Sequence, residues 1–265
     1  MSLGTALITG ASTGIGAIYA SRLASRGYDL LLVARDGARL DQVACGLRDH
    51  NIRIDTMSAD LTNPADLLRV ESLLRTDAAI TMLINNAGMS GGGPTYSANP
   101  DVLQSIIDLN VLAFTRLAAA AAASFSARVK GTIVNIASVT ALFPEKLAPT
   151  YPATKAYVIA FSQALAAELS SMGVRVQIVL PGATRTEIWA RSGADVNDLP
   201  PEIVMSAEDL VDAALAGLDQ GEVVTIPSLP ELDGWQAMES ARLELYPGLS
   251  RDRPAQRYTK FLAQA

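Results

Sequence analysis

The chain has 265 residues, 49% of them hydrophobic and 18% charged, enough apolar side chain for a sizeable core and too much for a disordered chain. Its 21 basic and 27 acidic residues leave a net charge of −6, which disfavours extended contact with nucleic acid or an anionic membrane. One cysteine, Cys45, excludes an intrachain disulfide framework and a thiolate metal cluster, and one histidine, His50, excludes a multi-histidine metal site and any Ser-His triad that His50 does not itself serve.

Short β-type runs alternate with helical segments through most of the chain. Thr5–Thr9 reads as a strand, and Gly14 to Arg26 as a helix that Gly27 stops. Leu30–Ala34 is a continuous apolar run, as expected of a strand buried on both faces. Asp36 to Arg48 is predicted helical, with Cys45 as small packing filler, and Ile52–Met57 is strand-like. His50 reads as a cap or surface group. Asn63-Pro64 supplies a capping side chain and a proline at the first helical position, opening a helix to about Arg75.

Ile80–Ile84 is the next strand and runs into Asn85-Asn86-Ala87-Gly88. A long helix is predicted over about Asp101–Val129, a strand over Thr132–Ile136, a helix over Tyr151–Met172 and a strand over Val174–Leu180 that Pro181-Gly182 closes. Thr184–Met205 is irregular and reads as a lid, with Trp189 and Met205 on it, and Trp235 beyond it, either lining a substrate or packing at a subunit contact. Ser206 caps a helix to about Leu218, with Asp209 at the matching capping-box position. A last strand, Val223–Ile226, a polar helix over about Glu231–Tyr246 and a basic tail follow. The alternation predicts an α/β fold with a doubly wound parallel sheet of about seven strands, helices on both faces, in a single domain spanning 1–265. No basic region precedes the apolar run near Met1, and Val111–Phe125 is mostly alanine and carries Arg116. The expectation is a soluble, cytoplasmic protein that does not span a membrane.

Chemistry concentrates after the strands. Thr9-Gly10-Ala11-Ser12-Thr13-Gly14-Ile15-Gly16 lies on the first strand-to-helix turn, where bare backbone approaches a pyrophosphate and a helix N-terminus meets its charge. The end of the second strand is where such sheets inspect the adenosine ribose, and there Ala34 is followed by Arg35. A guanidinium suits a 2′-phosphate, which favours NADP(H) over NAD(H). Asp36 is either a partner that neutralises Arg35 or a ligand for a hydroxyl. Asp60 and Leu61 are placed to meet adenine, or Asp60 to shape a turn. Tyr151 and Lys155, four apart at a helix start, share one face.

Taken with Ser138 after the fifth strand and Asn110 in the long helix, these motifs resemble the short-chain dehydrogenase/reductase family in its compact single-domain branch. The resemblance covers most of the chain, from the glycine turn through Asn85-Asn-Ala-Gly88, Asn110, Ser138 and Tyr151-x-x-x-Lys155 to Pro181-Gly182. It implies reversible carbonyl–alcohol interconversion on a small-molecule substrate. Tyr151 would be the proton donor and acceptor, Lys155 would lower its pKa and hold the nicotinamide ribose, Ser138 would position the substrate oxygen, and Asn110 would support a water relay. The resemblance further implies that Gly10, Ser12, Thr13, Gly14, Ile15 and Gly16 cradle the pyrophosphate, that Asn86, Ala87 and Gly88 lie along the cofactor, and that Pro181, Gly182, Thr184 and Thr186 border the nicotinamide. It implies a homodimer or homotetramer through the alanine-rich and Tyr151-bearing helices. A free phenol titrates at ~10, so a drop of about 3 units is needed near neutrality, ~4 kcal/mol, and an ammonium at about 4 Å supplies that much at an effective dielectric of ~20.

Two other readings compete. A non-catalytic, nucleotide-sensing relative would have lost the tyrosine or lysine, and both are present. A 3-oxoacyl-carrier-protein reductase would need a basic patch at the site entrance, where Glu187 and Asp195 offset Arg185 and Arg191.

Overall fold

Strand polarity and helix caps decide how the chain winds. Seven strands form one parallel sheet in the order β3-β2-β1-β4-β5-β6-β7 in the computed structural model, which describes residues 3–189 and 195–262. They are β1 (Thr5–Thr9), β2 (Asp29–Ala34), β3 (Ile54–Ser58), β4 (Ile80–Asn85), β5 (Gly131–Ile136), β6 (Val174–Val179) and β7 (Val224–Thr225). The helices between them are α1 (Gly14–Ser25), α2 (Gly37–Gly46), α3 (Pro64–Thr76), α4 (Pro100–Ile107), α5 (Phe114–Ala127), α6 (Thr150–Leu169) and α7 (Ala207–Gln220). Contacts group the chain into a larger unit reaching Ser228 and a smaller one from Leu229. The smaller unit holds α8 (Asp233–Glu244), a 3-10 turn at Tyr246–Gly248 and α9 (Gln256–Leu262), and no residue of α8 is buried.

The larger unit is the doubly wound sheet that the alternation predicts, buried on both faces because successive side chains point opposite ways. Ala6 and Ile8 of β1 join Leu30 and Leu32 of β2 in one core, with Leu23 of α1 and Leu210 of α7. Leu7 and Val33 face the other core, with Leu67 of α3, Leu117 and Phe125 of α5, and Leu165 of α6. The capping signals act as read: Asn63 accepts from Ala65 N and Asp66 N, and Ser206 accepts from Asp209 N at 2.9 Å while donating to its carboxylate at 2.7 Å.

Several local expectations change. Residues 108–113 form a π-helical turn between α4 and α5, so the long helix is continuous but locally widened around Asn110. β3 starts two residues late because Asn51 takes a left-handed turn, with φ of 53°, after the 3-10 turn Arg48–His50. Cys45 is exposed on α2 and fills no core space. Residues 100–127 are apolar and long enough to cross a membrane by length and composition, yet Phe114, Leu117, Ala121 and Phe125 are buried in the protein. Of the expected lid, residues 190–194, including Arg191, lie outside the described residues; Met205 pairs with Thr184 and packs against the first core.

Candidate active site

β1 leads to β2 on one side and β4 lies on its other side, so the winding direction reverses beside β1 and opens a crevice at the strand ends. The glycine turn fills the floor of that crevice. Gly10 has φ of 66°, in the left-handed region, and a Cβ there would lie 2.8 Å from Asn86 Nδ2 and 3.1 Å from Ala87 Cα. Gly16 serves packing instead, since its Cβ would stand 2.3 Å from the Gly10 carbonyl oxygen. The side chain of Asn86 is spent bracing this turn, donating to Thr9 O at 2.9 Å, and Thr9 Oγ1 accepts from Asn86 N and Ala87 N, each at 2.9 Å. Thr13, the N-cap of α1, makes no side-chain cap bond, which leaves the first helical N–H groups to the crevice.

A cleft of about 420 Å³ follows. It is lined by Gly10, Ser12, Thr13, Gly14 and Ile15, by Ala34, Arg35 and Asp36, by Asp60 and Leu61, by Asn86, Ala87 and Gly88, and by Thr186. Arg35 is exposed there and makes no ion pair among the described residues. Asp36 does not neutralise it: its carboxylate caps α2 from Arg39 N at 3.0 Å and pairs with Arg39 Nε at 3.5 Å. One oxygen of Asp60 is held by Thr62 N at 3.0 Å and the Thr62 hydroxyl at 2.7 Å, so Asp60 shapes a turn while it lines the cleft.

Asn110, Ser138, Tyr151 and Lys155 come together next to Gly88. A Cβ on Gly88 would lie 3.3 Å from Asn110 Oδ1 and 3.4 Å from Lys155 Nζ. Lys155 is buried and donates to Ile136 O at 2.9 Å, and its ammonium stands 5.7 Å from the centre of the Tyr151 ring. Tyr151 is half-buried and bonded to the Ser138 hydroxyl. The expected acidification of the phenol is reversed here. Burial pushes Tyr151 up to about 12, with the Ser138 bond pulling the other way, and burial pushes Lys155 down to about 8. The lysine donates to a backbone carbonyl, and no charge on it is among the causes that set the phenol's shift. The Asn110 side chain braces the neighbouring backbone: Oδ1 accepts from Met89 N at 2.9 Å, and Nδ2 donates to Met89 O at 2.9 Å and Thr154 Oγ1 at 3.1 Å.

A family model for short chain dehydrogenase matches residues 4–197. The chain belongs to the short-chain dehydrogenase family. The match spans the sheet through β6 and every residue of the network just described. A short-chain dehydrogenase from Sphingobium yanoikuyae in complex with NADPH is 51% identical, over 97% of this chain and 100% of that one, with a TM-score of 0.94. An alcohol dehydrogenase from Comamonas testosteroni, described as bulky-bulky ketone specific, is 46% identical over 97% and 99%, with a TM-score of 0.90. Very-long-chain 3-oxoacyl-CoA reductase-B of Danio rerio is 35% identical over 69% of this chain, which spans 60% of that relative's length.

In this short-chain dehydrogenase Pro181, Gly182 and Thr184, expected to border the nicotinamide, lie on the Ser138 side of the site rather than along the Arg35 cleft: Pro181 O accepts from Val139 N at 3.0 Å and Ser138 Oγ at 3.4 Å, and Thr184 Oγ1 donates to Gly182 O. Thr186 does reach the cleft, its methyl over Gly14. Glu187 and Ile188, which escaped the sequence reading, line it as well, and Glu187 accepts from Arg39 at 2.6 and 2.9 Å. Thr154, directly before Lys155, was the other omission; its hydroxyl sits one helical turn from the Tyr151 carbonyl and donates to it at 2.7 Å. A hydroxyl at that spacing was the available signal.

Proposed function

We propose that this enzyme interconverts a ketone with large substituents and its secondary alcohol, using NADP(H). The observation that carries the reading is the Ser138–Tyr151–Lys155 network standing at the strand ends beside a glycine-turn cleft. The cleft fits a dinucleotide: Gly10 lets the first turn pack tightly against Asn86 and Ala87, the N-terminus of α1 faces the cleft with no side-chain cap from Thr13, and Arg35 makes no ion pair among the described residues. Ser12, Thr13 and Gly14 would hold the pyrophosphate, Arg35 the 2′-phosphate, and Lys155 with Tyr151 the nicotinamide ribose. When bound, the dinucleotide supplies or takes the hydride at the carbonyl carbon. Tyr151 gives its proton to the carbonyl oxygen as the alcohol forms, and takes one back in the reverse direction. Ser138 donates a hydrogen bond to the same oxygen.

Support for a bulky substrate comes from the segment between Ser138 and Tyr151, where Leu142, Phe143 and Leu147 are each about 40% exposed. The Comamonas relative's described specificity points the same way. The 3-oxoacyl-CoA reductase relatives favour a second substrate class, a long-chain 3-oxoacyl thioester. A carrier-protein partner has less behind it, because Arg185 is bonded to Asn197 Oδ1 at 3.0 Å. Leu112 and Tyr157, exposed on the π turn and α6, support assembly into a homo-oligomer through these elements.

Steady-state rates with NADPH and NADH, on a panel of diaryl and long-chain ketones plus a long-chain 3-oxoacyl thioester, test the reading. NADPH should be preferred, and Arg35→Ala should raise the NADPH KM about 10- to 100-fold, the worth of a charge-assisted phosphate contact, with little change for NADH. Equal use of both cofactors by the wild type would remove the case for NADP(H), and turnover of the thioester alone would replace the ketone.

A further inference from the structure

Ser138 follows the C-terminal end of β5 and caps the 3-10 turn Val139–Leu142. Its Oγ accepts the N–H of Thr140 at 3.2 Å and the hydroxyl of Thr140 at 3.0 Å. A serine hydroxyl has two lone pairs and one proton. Thr140 therefore occupies both lone pairs. The one remaining proton is left to the Tyr151 oxygen and to Pro181 O, the latter at 3.4 Å, a long and weak bond.

We propose that Thr140 is a positioning residue for this reaction, which fixes the Ser138 hydroxyl as a donor toward the reacting oxygen. A serine free to rotate would also accept the phenolic proton of Tyr151 and hold it back from substrate. With its lone pairs filled, Ser138 takes no proton from Tyr151. It donates instead, its one proton going to whichever oxygen carries the negative charge, the carbonyl oxygen in the reacting complex or the tyrosinate when Tyr151 is ionised. The weak Pro181 bond costs little to give up when a better acceptor arrives. Thr140 itself touches neither Tyr151 nor Lys155 through any described bond, so it acts through Ser138. The inference rests on the proposed roles of Ser138 and Tyr151.

Three variants separate the outcomes: Thr140→Val, which keeps the shape and removes the hydroxyl, Thr140→Ser, which restores it, and Tyr151→Phe. Thr140→Val should lower kcat roughly tenfold, about the worth of one hydrogen bond, with KM within about twofold. The pH profile of alcohol oxidation should move to higher pH, because the tyrosinate loses a committed donor. Thr140→Ser should recover both. Wild-type kcat and pH profile in Thr140→Val overturns the proposal, and so does a Thr140→Ser enzyme as impaired as Thr140→Val, which would assign the effect to methyl packing. Thermal melts and NADPH titration of each variant identify a folding defect, in which case Thr140→Ser against wild type decides. Substantial turnover by Tyr151→Phe would instead overturn the catalytic reading beneath it.

Discussion

Lys155 donates its ammonium to the carbonyl oxygen of Ile136 at 2.9 Å, in a site with no carboxylate paired to it among the described residues. A backbone carbonyl returns only part of the solvation that an ammonium loses on burial, so the charged form is disfavoured and the pKa falls to about 8. The folded value lies below the unfolded value of ~10.4. The penalty is therefore full below pH 8, fades as pH rises between the two values and vanishes above them. Lys155→Met should abolish turnover yet stabilise the ligand-free protein by about 1–3 kcal/mol at pH 7, since a shift of this size is worth roughly 3 kcal/mol before the lost Ile136 bond is subtracted. Denaturant midpoints of both proteins at pH 7, 9 and 10.5 check this. A variant less stable than wild type at pH 7 contradicts it.

Tyr151 is half-buried beside Lys155, and there the neutral phenol is the favoured form. With its pKa pushed up to about 12, Tyr151 stays protonated at pH 10, where an ordinary phenol is half-ionised. The tyrosinate absorbance of wild type and Tyr151→Phe should therefore differ little at pH 10 and diverge only toward pH 12. The same variant should lose roughly 10²–10⁴ in kcat, the usual worth of a positioned proton donor. Its affinity for NADPH should change little. An ionisation near pH 8 that disappears in Tyr151→Phe would show that the pocket does not disfavour the charge.

The strands and their order of burial were legible because parallel strands covered on both faces leave continuous apolar runs, as in Leu30–Ala34. The glycine turn and the capping signals at Asn63 and Ser206 were legible because each rests on one residue type in one backbone state. The π turn around Asn110 was not, since six residues of altered hydrogen bonding leave the apolar spacing of a long helix nearly unchanged. Arg39 and Glu187 are 148 positions apart, and an exposed ion pair between helix α2 and a distant turn has no periodicity to read. The direction of the Tyr151 shift was missed for a different reason. Four-residue spacing sets which side chains share a face, but whether the lysine or desolvation dominates depends on a distance and a burial that only the folded chain has.

Glu71 of α3 is buried and joins two arginines, Arg116 of α5 at 2.6 Å and Arg75 at 3.1 Å. Burial alone would raise its carboxyl, but the hydrogen bonds from Arg116 and Arg75 outweigh it and hold the pKa below the usual value. The folded value is thus below the unfolded one of ~4.3, so the stabilisation is complete above that value and is lost as pH falls through the folded one. Glu71→Gln should cost about 1–3 kcal/mol at pH 7, less than a fully buried pair because both arginines are nearly half exposed. Urea denaturation at pH 7 and pH 3 measures it. The gap between variant and wild type should narrow at the lower pH; a gap that widens there would contradict the assignment.

Asn110 offers the last test, because its amide is the clamp between the π turn and the strand-end loop that carries Gly88 and Met89. Its three bonds satisfy the N–H and C=O of Met89 and tie Thr154 on α6 to the same point. Met89 lines the cleft, so the clamp sets one wall of the dinucleotide site. Asn110→Ala leaves both part-buried Met89 backbone groups without that partner, at about 2–4 kcal/mol. For a chain of this size that corresponds to a fall of roughly 5–10 °C in Tm, visible in the protein without ligand. NADPH affinity should drop with it. A residue that served only a proton relay would lower kcat and leave both Tm and NADPH binding untouched, so an unchanged melt with impaired turnover would reject the clamp.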